Sequence, residues 1–186
     1  MSEQQRSFEV IPGRPAWWSR QYIEPFTLDE DELWRVVRET SFATISWVTK
    51  TCEPVSARMA YLWYDDHIWV TSTPNRHKFQ AWRRNPAICV CIIDEADVQK
   101  QVVVRGKVEL TNEPAKVRQF VDTLLRRRNF TGEEYDRQYA MFDSPSRYVA
   151  KVNITRIRTY NGRKMYAAEQ EGADVWGPDW DFPQGR

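Results

Sequence analysis

The chain has 186 residues, and its 27 Lys and Arg against 26 Asp and Glu leave a net charge of +1. This length fits one domain with a sizeable core, and this charge gives no global reason to expect a nucleic acid or an anionic membrane as a partner. No apolar run approaches the roughly 20 residues that cross a bilayer. The three cysteines lack the CxxC spacing of a metal or redox site. We therefore expect a cytoplasmic protein with reduced thiols.

The N-terminal residues 1–26 contain three prolines and one glycine and show little apolar periodicity, which predicts an extended arm. Thr27, with Glu30 three residues later, predicts the N-terminus of a helix closed by a capping box. We expect a single domain over residues 27–168. The remaining residues 169–186 are rich in aromatic side chains and are predicted to form a tail.

Short apolar runs between turn signals predict six β-strands. They are Phe42–Val48, Val55–Tyr64, Ile68–Thr73, Ile88–Ile93, Gln101–Leu110 and Tyr148–Tyr160. Helical spacing predicts further helices at about residues 76–84, 111–128 and 133–142. Antiparallel strands with helices between them favour an α+β fold, a six-stranded antiparallel barrel with flanking helices. Side chains fill a barrel of that size, so a cofactor must lie on its outer surface, where a second subunit can cover it.

Cationic and polar residues recur along this β-rich region. Arg58 offers a planar fork for phosphate oxygens, and Lys78 offers a compact charge in the first turn of a helix, where backbone N–H groups are unpaired. An ordinary histidine is mostly neutral at pH 7, so His77 is a weaker cation, and Arg76 beside it can compensate. The amide of Gln101 both donates and accepts. Solvated surface roles for these residues remain open alternatives.

The order and spacing of these residues resemble the pyridoxamine 5'-phosphate oxidase-like family of split β-barrel flavoproteins. The matching elements are the Arg58-Met59 strand, the Val70-Thr71 pair, the His77-Lys78 pair that opens a helix, and Gln101 before the strand glycine Gly106. The resemblance implies a homodimer with two FMN molecules at its interface. It implies FMN contacts from Arg58, Met59, Ala60, Tyr61, Val70, Thr71, Arg76, His77, Lys78 and Gln101, with Arg58 and Lys78 on the phosphate and main-chain groups after Arg58 on the ring.

The chain also departs from the family's vitamin B6 oxidases. Trp63 stands where they have a substrate-binding Lys, residues 161–166 lack their Arg-Leu-His motif, and Val117–Arg128 replaces another substrate segment. We therefore expect an FMN-dependent oxidoreductase acting on a different small organic molecule. Two alternatives stay open: a deazaflavin-dependent reductase, and a flavin- or haem-binding protein without turnover. We expect no metal site, and either terminal segment is predicted to cross to the partner subunit.

Overall fold

The computed structural model describes residues 26–171, which form seven strands and five helices. The strands are β1 (Phe42–Val48), β2 (Pro54–Ala60), β3 (Leu62–Tyr64), β4 (His67–Ser72), β5 (Ala87–Ile93), β6 (Lys100–Thr111) and β7 (Tyr148–Asn161). The helices are α1 (Glu30–Glu39), α2 (His77–Arg84), α3 (Pro114–Arg127), α4 (Gly132–Phe142) and α5 (Gly162–Glu171). The predicted arm up to residue 25 and the predicted tail from residue 172 lie outside the described residues.

The seven strands form one antiparallel sheet in the order β2-β1-β5-β6-β7-β4-β3. β2 and β3 lie at opposite edges of this order, yet only Tyr61 separates them in the chain. The sheet must therefore curl until its two edges meet, which confirms the predicted α+β barrel. The count differs from six because the predicted strand Val55–Tyr64 changes partner at Tyr61: β2 pairs with β1 and β3 pairs with β4.

The barrel interior is an apolar core closed by two helices. Every second strand residue points inward, and Ile45, Val90 and Val104 are fully buried there. Trp82 of α2 enters the same core and packs edge-on against Trp47 near the end of β1, with ring centroids 6.3 Å apart. The buried residues of α1 join the core near the start of β1. No space is left inside for a flavin.

A second apolar cluster lies outside the barrel, where α3 and α4 cover part of the sheet. Its buried members are Leu62, Trp69, Phe120, Val121, Leu124, Leu125 and Val149. This cluster covers the outer faces of β3, β4 and the start of β7. The outward-facing side chains of β1, β5 and β6 belong to neither apolar cluster of the described residues. That uncovered face is where the candidate site lies.

Several local predictions can be compared with the structure. The capping residue of α1 is Asp29 rather than Thr27: its carboxylate accepts the backbone N–H of Glu32 at 2.8 Å. Asp65 and Asp66 both have positive φ, as expected for a tight hairpin turn. Helix α5 was not predicted. No helix in the described part of the chain is long and apolar enough to cross a membrane.

Candidate functional site

Residues that lie opposite each other in adjacent strands share one face of a sheet, so the strand register defines rows of neighbours. One row on the uncovered outer face runs Arg58, Thr44, Cys91, Val103 and Arg158 across β2, β1, β5, β6 and β7. The row beside it runs Ser56, Ser46, Cys89, Arg105 and Arg156. Two predicted site residues, Arg58 and Gln101, thus lie on the same face of the barrel.

Two grooves open on this face. The larger, about 330 Å³, is lined by Cys89, Gln101, Val103, Arg105, Arg156, Arg158, Thr159 and Tyr160. The smaller, about 270 Å³, is lined by Phe42, Ala43, Thr44, Arg58, Cys91, Ile93, Asp94, Glu95 and Val98. The grooves are neighbours because Cys91 of one pairs with Val103 of the other across β5 and β6. A flat ligand lying along the face can contact both.

Arg58 is exposed, and its guanidinium carbon lies 4.3 Å from the centre of the Phe42 ring. Arg128 approaches the same ring at 5.7 Å. Within residues 26–171 Arg58 makes no ion pair, so stacking on Phe42 orients its guanidinium while leaving the N–H groups free to bind oxygen atoms. This arrangement suits a phosphate ligand.

The chain changes its partner strand just after Arg58, because β2 pairs with β1 and β3 pairs with β4. β3 pairs with β4 through Leu62 opposite Trp69. If this pairing continued back through Tyr61, Ala60 would lie opposite Thr71. Ala60 instead pairs with Phe42, because β2 runs beside β1. α2 begins only five residues after β4 ends, so Thr71 near the end of β4 and Lys78 in the first turn of α2 are close along the chain.

The start of α2 has the properties of an anion site. Its first turn contains no acidic residue, and the N-cap Arg76 makes no side-chain capping bond, so backbone N–H groups remain open. Lys78 is half-buried, and burial followed by the charge of Arg76 lowers its pKa. Arg76 and His77 are exposed. An anion bound here would stabilise the charge that burial and Arg76 disfavour on Lys78.

Thr71 is half-buried and already engaged within the chain. Its hydroxyl donates to the carbonyl of Tyr148 at 2.8 Å and accepts from Nη1 of Arg147 at 3.3 Å. The Thr71 hydroxyl, which was expected to donate to the ligand, therefore already donates within the chain, and Arg147 lies next to it. Burial lowers the pKa of Arg147, whose Nε donates to the carbonyl of Phe142. The sequence reasoning missed Arg147 because only the pairing of β4 with β7 brings it to Thr71.

The side chains of Met59, Tyr61 and Val70 point into the core. The Tyr61 hydroxyl donates to the carbonyl of Val37 at 2.8 Å, and burial raises its pKa well above the ordinary value. Only main-chain groups of these three residues can meet a surface ligand, in line with the main-chain role implied for the residues after Arg58. The side chain of Ala60 points out of the barrel and packs against the second apolar cluster, which α3 and α4 cover.

Gln101 lies at one end of the larger groove. It pairs with Ile93 on β5 and with Tyr160 on β7, and it is half-buried. Tyr160 donates its hydroxyl to the sulfur of Met165 at 3.0 Å, which fixes the ring beside Gln101. The pair presents an amide and an aromatic surface to the groove. The described residues contain no cluster of His, Cys, Asp and Glu that could hold a metal ion.

Comparison with known proteins identifies the family of this chain. Residues 30–161, from α1 to the end of β7, match the family model described as pyridoxamine 5'-phosphate oxidase. The chain belongs to the pyridoxamine 5'-phosphate oxidase family. No curated protein is significantly similar to it in sequence.

Solved structures of this fold carry several different descriptions. Rv2991 of Mycobacterium tuberculosis is 20% identical, with a TM-score of 0.66 over 76% of this chain and 90% of that one. A protein described as an F420 reductase is 21% identical, with a TM-score of 0.54 over 70% and 98%. A FAD-binding protein of Mesorhizobium loti is 17% identical, with a TM-score of 0.54 over 72% and 94%. Identities this low show the shared fold alone, and function has to be argued from the site.

Proposed function

We propose that the protein is an FMN-dependent oxidoreductase that acts on a small organic molecule in the cytoplasm, with FMN held at a homodimer interface. The observation that carries this proposal is Lys78, a half-buried cation at the start of α2 that makes no ion pair within residues 26–167 and lies near the like charge of Arg76. Burying a charge without a partner is costly. The site therefore fits an anion from outside the chain, and the phosphate of FMN is a dianion of suitable size.

The surrounding residues suit the rest of an FMN molecule. Arg58, oriented by Phe42, would meet the same phosphate as Lys78. Gln101 offers donors and an acceptor for the edge of an isoalloxazine ring. When bound, FMN supplies the hydride-transfer chemistry, and the protein contributes binding, orientation and exclusion of water.

A second copy of the chain would complete the site. The groove that contains Gln101 lies on the outer face, which neither apolar cluster of the described residues covers. An isoalloxazine ring on an open sheet face needs a second wall to exclude water. A two-fold dimer would supply that wall and create two equivalent sites.

The site does not favour vitamin B6 oxidation. Trp63, at the position of the oxidases' substrate Lys, packs against Trp34 with ring centroids 5.1 Å apart. Residues 162–166, where their C-terminal motif is expected, form the start of α5. The described positions therefore lack the substrate Lys and the Arg-Leu-His motif that would hold a phosphorylated vitamer, and Arg163 is paired with Asp97 instead.

A 5-deazaflavin coenzyme is the second candidate, favoured by the similarity to the structure described as an F420 reductase. Its ring would use the same outer face and the same Gln101. Direct competition between FMN and the deazaflavin coenzyme for the purified protein decides between them.

The proposed function is tested by adding FMN or riboflavin to purified protein and measuring the midpoint of thermal unfolding. We expect FMN to raise the midpoint more than riboflavin, and the FMN-loaded protein to be reduced by NAD(P)H and reoxidised by dioxygen or by a substrate panel. Colourless protein with no shift from FMN refutes the proposal. FMN binding without turnover identifies a carrier or sensor instead.

A further inference from the structure

Three arginines line the larger groove and form a stripe on the outer face: Arg105, Arg156 and Arg158. Arg105 lies directly opposite Arg156 across β6 and β7, and Arg158 follows two residues later on the same face. Like charges directly opposite each other destabilise a sheet. The stripe therefore costs stability unless an anion neutralises it.

Several cations elsewhere in the described residues make ion pairs, whereas the arginines of this stripe make none. Ion pairs join Arg35 to Asp94, Lys100 to Glu32, Arg163 to Asp97 and Lys151 to Glu109. Within residues 26–167, the guanidinium groups of these three arginines make no ion pair and no hydrogen bond, and the side-chain bond to Arg105 reaches only its carbonyl, which accepts from the Thr155 hydroxyl at 3.1 Å. Because the whole chain carries only +1, this excess of positive charge is local.

A β-bulge puts the stripe on the outer face. Ile154 packs towards the core, so a regular strand would also point Arg156 and Arg158 inward. The register between β6 and β7 shifts at Arg105, leaving Thr155 as an extra residue. After it the alternation is reversed: Ile157 packs towards the core, and the arginines face out. Bulges of this kind re-aim side chains beside functional sites.

We propose that the arginine stripe binds the polyanionic part of a small organic ligand, with two or more negative charges a few ångströms apart, as in a diphosphate. The usual geometry of a β-sheet puts the Cα atoms of Arg105 and Arg156 about 5 Å apart across the strands, and those of Arg156 and Arg158 about 7 Å apart along one strand. Guanidinium groups bind phosphate oxygens in pairs. The neighbouring Tyr160 would contact the uncharged remainder of the ligand, beside the flavin ring that Gln101 would hold.

The groove of the stripe includes neither Arg58 nor Lys78, so the stripe would hold a second molecule beside the flavin ring: the substrate or the electron donor. That assignment as a reactant rests on the proposed function, whereas binding of a polyanion does not. The chain's own C-terminal residues 172–186 are another source of negative charge, since they include Asp174, Asp179 and Asp181. The experiment has to separate these two sources.

Calorimetric titration of the full-length protein with pyrophosphate and with phosphate, at constant ionic strength, tests the stripe. We expect pyrophosphate to bind more tightly than phosphate, and Arg156→Gln and Arg158→Gln each to weaken it about tenfold or more. Arg156→Lys should lose less affinity for pyrophosphate, because the variant keeps the positive charge and loses only the paired N–H donors of the guanidinium group. Arg137→Gln on α4 is the matched control and should bind as the wild type does.

Equal affinity for the two anions, or Arg156→Gln and Arg158→Gln variants that bind normally, would overturn the proposal. So would a tenfold gain in pyrophosphate affinity on changing Asp174, Asp179 and Asp181 to Asn, because the stripe would then serve the chain's own tail. Unchanged FMN affinity in Arg156→Gln supports a separate subsite, and a parallel loss of FMN and pyrophosphate contradicts it. Protein that binds pyrophosphate but not FMN would support the stripe and refute the proposed function.

Discussion

The hydroxyl of Tyr61 donates to the carbonyl of Val37 at 2.8 Å, and this bond ties the point where the sheet closes to the last turn of α1. The carbonyls of a helix's last turn have no partner within the helix. Tyr61 is fully buried, so it supplies a bond that water cannot replace. The residue that joins the two sheet edges also caps the helix above them.

Tyr61→Phe should therefore destabilise the protein by about 1–3 kcal/mol, the usual cost of leaving a buried acceptor unsatisfied. FMN affinity should not change, because only the main chain of Tyr61 can reach the ligand. Urea unfolding measures the first effect and flavin titration the second. Tyr166→Phe, at an exposed position, is the control; equal losses in the two variants would contradict this role.

Arg58→Ala and Lys78→Ala should each weaken FMN binding by about 1.5–3 kcal/mol, the range for hydrogen bonds to charged groups. Riboflavin lacks the phosphate and should bind almost as it does to the wild type. Fluorescence titration with both flavins provides the comparison, and Lys50→Ala at an exposed turn provides the control. Equal losses for FMN and riboflavin would show that these residues support the fold instead.

Lys78→Met should raise the unfolding midpoint of the flavin-free protein at pH 7 while weakening FMN binding. Burial lowers the pKa of Lys78 in the folded protein below its ordinary value of 10.5. At pH values between the lowered pKa of the folded protein and 10.5, Lys78 binds more protons in the unfolded chain than in the folded one. The free energy of unfolding of the wild type therefore rises with pH in this range. The advantage of the variant should therefore shrink as the pH approaches 10.5. A variant less stable than wild type at pH 7 would be the contrary result.

The proposed dimer predicts a sedimentation mass near twice 22.1 kDa at micromolar concentration. An obligate interface buries more than about 2,000 Å² in total. Val103 lies at the centre of the uncovered face, between Cys91 and Arg158, so Val103→Asp should dissociate the dimer and weaken flavin binding. Met141→Asp, 70% exposed on α4, should do neither. A monomer that binds FMN at full affinity would refute the model.

Gly106→Ala tests the close approach of β6 to β7. A Cβ at Gly106 would lie 2.7 Å from the carbonyl oxygen of Asn153 and 2.7 Å from Cγ1 of Val152. Backbone would have to move, which costs about 1–3 kcal/mol. Gly162→Ala is the control, because its Cβ would meet Gln99 at an ordinary 3.4 Å. Thermal unfolding should show a clear loss for the first variant and little for the second.

The sequence alone predicted most of the fold because its strands bury one face and alternate accordingly. It did not reveal the break at Tyr61, since Met59, Tyr61 and Trp63 continue the same alternation through the change of partner. Both Thr27 and Asp29 are good helix caps. Only the packed helix shows that Asp29 is used.

The candidate site also has features that the sequence predicted and features that only the structure shows. Local spacing was enough to place Lys78 in the first turn of α2 and Arg58 on its strand, because both depend on short-range periodicity. The arginine stripe and the contact of Arg147 with Thr71 depend on strand pairing over long sequence separations. The bulge at Thr155 reverses the inward and outward positions of β7. Alternation along the sequence therefore could not predict which face of the sheet Arg156 and Arg158 occupy. The sequence determined the local elements and their charges, and the tertiary pairing decided which charges meet, because register over long distances is set by the packed core rather than by neighbouring residues.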